Sequence, residues 1–187
     1  NLPLNRFTGN STAQTLLIPN GTSAAQWSAP ATRSILLTAY NGKPTTTSGC
    51  NPASVIEEPT NKIDVYALEF VHTSKTYAFW NFVLPYDYNG GTFNALIYLR
   101  DTVNQDSPTP TTHWGIAGGV YRSGSTLDTA LGSVKTRNSD SSGPGKLNVN
   151  SILDITFAGS PVAGDFVVVR IYRDPTNAND DYDQTAC

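Results

Sequence analysis

ILDITFAGSPVAGDFVVVRIYRDPTNANDDYD, residues 152–183, is the stretch that decides the fold. Ile152–Ala158 and Asp165–Tyr172 are rich in β-branched and aromatic residues, with Gly159, Pro161 and Gly164 between them. That pattern predicts two strands and a turn, a β-hairpin. In the second arm Val167, Val169 and Ile171 share one face, and Phe166, Val168, Arg170 and Tyr172 share the other. The first face is wholly apolar and must be buried. The second is apolar at one end and cationic at the other, and is expected to meet another sheet edge, a loop or a second subunit. Two strands alone are marginal in water, so the rest of the chain must supply their partners.

It does so with the same period of two. Tyr77–Leu84 alternates Trp80, Phe82 and Leu84 against Tyr77, Phe79, Asn81 and Val83. Pro85 ends it, Asn89-Gly90-Gly91 offers a turn at positive φ, and Thr92–Arg100 returns with Phe93, Ala95, Ile97 and Leu99 inward. A second hairpin over residues 77–100 is the expectation. Further strands are read at Arg33–Tyr40, Ile63–Val71, His113–Arg122 and Leu147–Val149, and a short one or an extended arm at Leu16–Ile18. Gly115, Gly118 and Gly119 within HWGIAGGVYR predict a bulge or a neighbouring backbone lying close. Thr126–Leu131 carries the one helical-turn signal; the run from Asn41 to Pro59, Asp101–Thr112 and Asn138–Gly145 read as loops. The class is all-β: an antiparallel β-sandwich of about eight strands. Residues 1–44 read as a polar arm with one or two short strands, and 45–187 as the sandwich.

The chain has 187 residues, enough for one full core and short for two. Charged residues make up 14%, against roughly 25% in ordinary domains. Ser, Thr, Asn and Gly take their place, as in many extracellular and virion-surface β-proteins. The net charge of −3 gives no basic patch, so nucleic acid is not an expected partner. No apolar run reaches 18 residues, and a membrane partner is not expected either. The chain starts at Asn1 without an initiator Met, the start expected of a processed or trimmed product. Cys50 and Cys187 either pair, closing a loop worth about 4–5 kcal/mol in the chain-entropy model, or stay as free thiols. Asn10-Ser11-Thr12 and Asn20-Gly21-Thr22 match the glycosylation sequon, a frequent match in so polar a chain.

Chemistry-bearing residues are sparse. His72 and His113 stand in no metal-ligand spacing and read as solvated strand-end histidines. No nucleophile elbow, phosphate loop or dinucleotide fingerprint occurs. Glu57 and Glu58 are a carboxylate pair, but neighbours on an extended chain point opposite ways; Asp87 and Asp101 flank the 88–100 arm and are candidates to line one end of the sheet. No catalytic residue and no cofactor are assigned. The one dense oxygen cluster is Asp174, Asn177, Asn179, Asp180, Asp181 and Asp183, a candidate calcium loop without EF-hand spacing, or else a solvated acidic turn. Tyr86, Asp87 and Tyr88 form the other candidate site: aromatic rings beside a carboxylate suit a sugar ring, unless the tyrosines pack over the sandwich mouth.

Tyr77-Ala-Phe-Trp, Pro85, Gly90-Gly91-Thr92, His113-Trp-Gly, Thr126-Leu-Asp, AGSPVAGDFVVVRIYRD (158–174) follow one another in an order that resembles a group of jelly-roll-like structural proteins of tailed bacteriophages, prophages and uncultured viruses. The likeness spans about residues 45–183 and is sharpest in that last run. It implies a jelly-roll-like, non-enzymatic subunit at the virion surface (a decoration, head-fibre or tail-associated protein), with copies of itself or other virion proteins as partners. Two departures stand out: such proteins carry one more apolar strand beyond the position of Cys187, and the 1–44 arm lies outside the likeness. The alternatives are a carbohydrate-binding or adhesin module, with a surface glycan as partner, and a secreted cell-surface filament subunit joined by strand donation. In every case the expected location is a virion surface or the extracellular space.

Overall fold

The computed structural model describes residues 17–20 and 24–27 as backbone, and residues 33–102 and 110–187 in full. The chain falls into two compact units, Asn1–Leu36 and Leu37–Cys187. In the first, β1 (Leu17–Asn20) pairs antiparallel with β2 (Ala24–Trp27), at the position of the apolar island. The sequon at residues 10–12 lies outside the described residues.

The second unit holds β3 (Lys43–Pro44), β4 (Asn51–Glu58), β5 (Ile63–Glu69), β6 (Thr76–Val83), β7 (Phe93–Arg100), β8 (Thr111–Tyr121), β9 (Lys135–Asp140), β10 (Leu147–Ile155) and β11 (Phe166–Arg173). One layer is a five-stranded antiparallel sheet, β3-β6-β11-β8-β9. The other consists of two antiparallel ladders, β4–β5 and β7–β10. Ala186 links them by bridging both Phe70 and Asp101. The inward faces meet in a core of two clusters. Leu68, Phe70 and Leu99 pack on Ala78, Trp114 and Ile171, while Ile152, Ile155 and Phe157 pack on Leu84, Ile116, Val120, Val167 and Val169. The chain is an all-β sandwich, with no α-helix among the described residues; a single 3-10 turn spans Ala39–Asn41.

The inward faces read from the sequence are the buried ones, but the strand pairing is different. Neither expected hairpin forms. β10 pairs with β7 in one layer, while β11 sits between β6 and β8 in the other. The connections 84–92 and 156–165 therefore cross between layers. Hairpin loops run about 2–5 residues, and both connections are too long for one. Alternation tells which residues face inward and says nothing of which edge a strand joins.

Four smaller expectations also change. Arg33–Thr38 is irregular, with Leu36 80% exposed, because the chain turns at Ala39–Asn41 to bring Gly42 between Leu68 and Trp80. The compact unit accordingly begins ahead of residue 45. Thr126–Leu131 makes no helical turn. β4 lies in the stretch read as loop, its Pro52 absorbed at a register shift between Asn51 and Ser54. β9, KTRNSD, has no apolar residue and is an edge strand protected by its charges. The glycine reading holds as a close approach and not a bulge. β8 is uninterrupted, and a Cβ at Gly115 would enter the Tyr172 ring, one at Gly118 the Phe157 ring.

Candidate functional site

β11 continues its inward face from Val167, Val169 and Ile171 to Arg173, which is completely buried. A guanidinium there requires an acid, and Asp180 supplies it: Nε donates to Oδ2 at 3.0 Å and Nη2 to Oδ1 at 2.7 Å. Nη1 donates to the carbonyls of Gln184 at 2.5 Å and Phe70 at 3.3 Å, and Nη2 to that of Tyr182. Asp180 also accepts the His113 amide at 2.9 Å, and Asp181 accepts the Thr111 amide at 2.5 Å. The acidic run is a knot that fastens the C-terminal segment to β8 and β11.

The residues read as a candidate calcium loop, Asp174, Asn177, Asn179, Asp180, Asp181 and Asp183, make contacts within the chain. Asp174 pairs with Lys75 at 2.8 Å and caps Thr176, and Asn177 caps the amide of Asn179. Burial pushes the Asp174 carboxyl up, but Lys75 and Thr176 outweigh it and hold it below its usual range. No group of three or more His, Cys, Asp or Glu side chains converges as metal ligands among the described residues. The signal that sequence reading missed was Arg173 itself, at the next inward position of β11.

The remaining candidates separate. Tyr86 is 92% exposed, but Tyr88 donates to the Gly91 carbonyl at 2.9 Å and stacks on Phe93, which stacks on Phe157. The two rings do not form a shared platform, and Asp87 is exposed beside them. Glu57 pairs with Lys62 at 2.8 Å, and Glu58 with Arg100 at 2.5 Å. Asp101 is buried and accepts from Ser141 at 2.5 Å and Asn148 at 3.0 Å, so it lines no open end of the sheet. Cys50 and Cys187 are both free and buried, with burial pushing each thiol up to about 12, so neither is a thiolate at neutral pH. His72 is exposed as expected.

His113 is not solvated. It is 8% exposed, and its Nδ1 lies 2.7 Å from Asn138 Oδ1, within hydrogen-bond distance. With Thr136, Arg137, Asn138, Asp140 and Asn179 it lines an open depression of about 450 Å³. By strand register this lies at the opposite end of the five-stranded sheet from Tyr86.

One exposed surface among the described residues is apolar. In the β7–β10 ladder Val149 stands opposite Tyr98, Ser151 opposite Leu96, and Leu147 opposite Arg100, all on the outer face. Leu96, Tyr98, Leu147, Val149 and Leu153 are each between 53% and 66% exposed. Scattered exposed leucines are ordinary; five large apolar side chains on one face of one ladder are not. No protein-family model matches the chain, and neither do the curated proteins or the solved structures searched with it.

Proposed function

We propose that this chain is a non-enzymatic structural protein of a virion exterior, a decoration, fibre or tail-associated subunit that acts by surface contact. The observation that carries the reading is the outer face of β7–β10, apolar on both strands and uncovered by any described residue. It is supported by the use of the polar side chains: Arg173–Asp180, Arg122–Asp165 and Arg100–Glu58 all tie the sandwich to itself. The resemblance noted in the sequence points the same way. Immunogold labelling of intact particles with an antibody against the chain tests it. Labelled particles are expected; bare particles with the protein left in the soluble fraction would contradict it.

A second reading, a glycan-binding module, is favoured by the polar depression at His113. Arg137 and Asn179 offer donors there, and Asp140 offers acceptors, as a ring of hydroxyls requires. A glycan array with the wild type and Arg137→Ala decides it: signal lost in the variant supports binding, and a blank array removes the reading.

A further inference from the structure

We infer that the gap between β5 and β7 is an acceptor for one extended strand of another polypeptide, antiparallel to both neighbours and apolar on its inward face. This goes beyond the virion reading and does not rest on it.

The gap is already filled at one end. The Phe70 and Ala186 amides each donate to the other's carbonyl, at 2.7 and 3.1 Å, and the Arg100 and Cys187 amides do the same, at 2.7 and 3.0 Å. Ala186 and Cys187 are thus the first rungs of a strand lying between β5 and β7. Strands in a ladder stand about 4.8 Å apart, so β5 and β7 flank it at about 10 Å, room for one strand and no more. Past Cys187, β5 pairs only with β4 and β7 only with β10 among the described residues. In an antiparallel ladder successive residues turn their amides and carbonyls to alternate sides. Phe70 and Arg100 turn theirs to the C-terminal segment, so Leu68, Tyr66 and Asp64 on one side and Tyr98, Leu96 and Asn94 on the other turn theirs into the gap. Two rows of edge groups face each other across a single strand's width, and a β-strand is the ligand that satisfies both.

Register defines its side chains. Along the line of Ala186 and Cys187, six residues fit. The first falls between Leu68 and Leu99, the third between Tyr66 and Ile97, and the fifth between Asp64 and Ala95, all facing inward. The second and fourth fall on the outer side, between Ala67 and Tyr98 and between Val65 and Leu96. The core is open along the same line. Ala95 and Ile97 point inward yet are only half-buried, although Ile97 packs against both core clusters, and Tyr66 is 54% exposed. On β8 and β11, by contrast, Trp114, Ile116, Val167, Val169 and Ile171 are all buried. The donor is another protein because this chain's own strands are taken: β1–β11 all pair within it. The irregular stretch Arg33–Thr38 is held at its end, where the Trp80 indole N–H donates to the Thr38 carbonyl at 2.8 Å.

Fluorescence anisotropy on the full chain tests this, with the peptide acetyl-Val-Thr-Val-Thr-Ala-Thr-Lys-Lys-amide labelled on its last lysine. Saturable one-to-one binding is expected, with a Kd of about 100 µM or tighter, and with slower hydrogen exchange in β5 and β7. Leu96→Pro and, independently, Tyr66→Pro each remove an N–H aimed into the gap, at an edge where proline is tolerated. Each should weaken binding by about tenfold or more, with circular-dichroism melts as the control for folding. Leu96→Ala keeps the N–H and should weaken it by less than about threefold. A peptide with proline in place of its second valine leaves the chain untouched and should not bind. No saturable binding up to about 1 mM, equal binding of the proline peptide, binding indifferent to both proline variants, or binding without slower exchange in β5 and β7 would overturn the inference. So would a wild type that dimerises and is returned to monomer by the peptide, since a second copy would then hold the gap.

Discussion

β11 and β7 are built alike, FVVVRIYR and FNALIYLR, yet one is covered on both faces and the other on one. Outside β11 the sheet is paved: Tyr172 lies over Gly115 with the Lys75 ammonium 3.9 Å from its ring centre, and Arg170 lies over Tyr77. Gly132 donates to the Gly118 carbonyl, bringing the 131–132 loop across the same face. Outside β7 no described segment does this, and Leu96 and Tyr98 stand in solvent. Equal patterns thus have unequal fates, because burial is decided by what crosses a face and not by the strand's own periodicity. Among the described residues, the five-stranded sheet is covered outside β11 and the β7–β10 ladder is open outside β7.

The sharpest way to break that contrast is to unpair the buried ion pair of the covered sheet. Asp180→Ala strands the Arg173 guanidinium, and urea unfolding should show a loss of about 3–5 kcal/mol. Next comes the inner face of β8. Gly118→Ala drives a methyl into Phe157 and should cost about 1–3 kcal/mol by the same measurement.

A smaller, pH-dependent loss belongs to the carboxylates of the paved sheet. Hydrogen bonds from the Arg122 guanidinium hold Asp165 below the usual carboxylate range, and Asp174 is held down beside Lys75. A depressed folded pKa means the unfolded chain takes up protons first as the solution is acidified. Their contribution is fully present above the unfolded value and disappears as pH falls through the folded one, below about pH 4. Urea midpoints should be flat in this respect from pH 7 to 5 and fall below 4, with Asp165→Asn falling less steeply. The smallest effect belongs to the exposed ladder: Val149→Asp should shift stability by no more than about 0.5 kcal/mol in the same urea titrations.

The class and nearly every inward face were legible, because Val167-Val169-Ile171, Trp80-Phe82-Leu84 and Phe93-Ala95-Ile97-Leu99 announce themselves by alternation. Pairing was not, since register and layer depend on partners distant in sequence, and polar β9 has no alternation to read. At the acidic run the residue types were visible but their direction was not. Only the inward turn of Arg173 makes Asp180 an internal counter-ion. The apolar outer face was half legible: Leu96 and Tyr98 oppose the inward set in the sequence, and the register with β10 supplies Val149 and Leu147 beside them.

Hydrogen–deuterium exchange tests the division most directly. Peptides covering β8 and β11 should exchange more slowly than those covering β7 and β10. Exchange in β11 as fast as in β7 would contradict it.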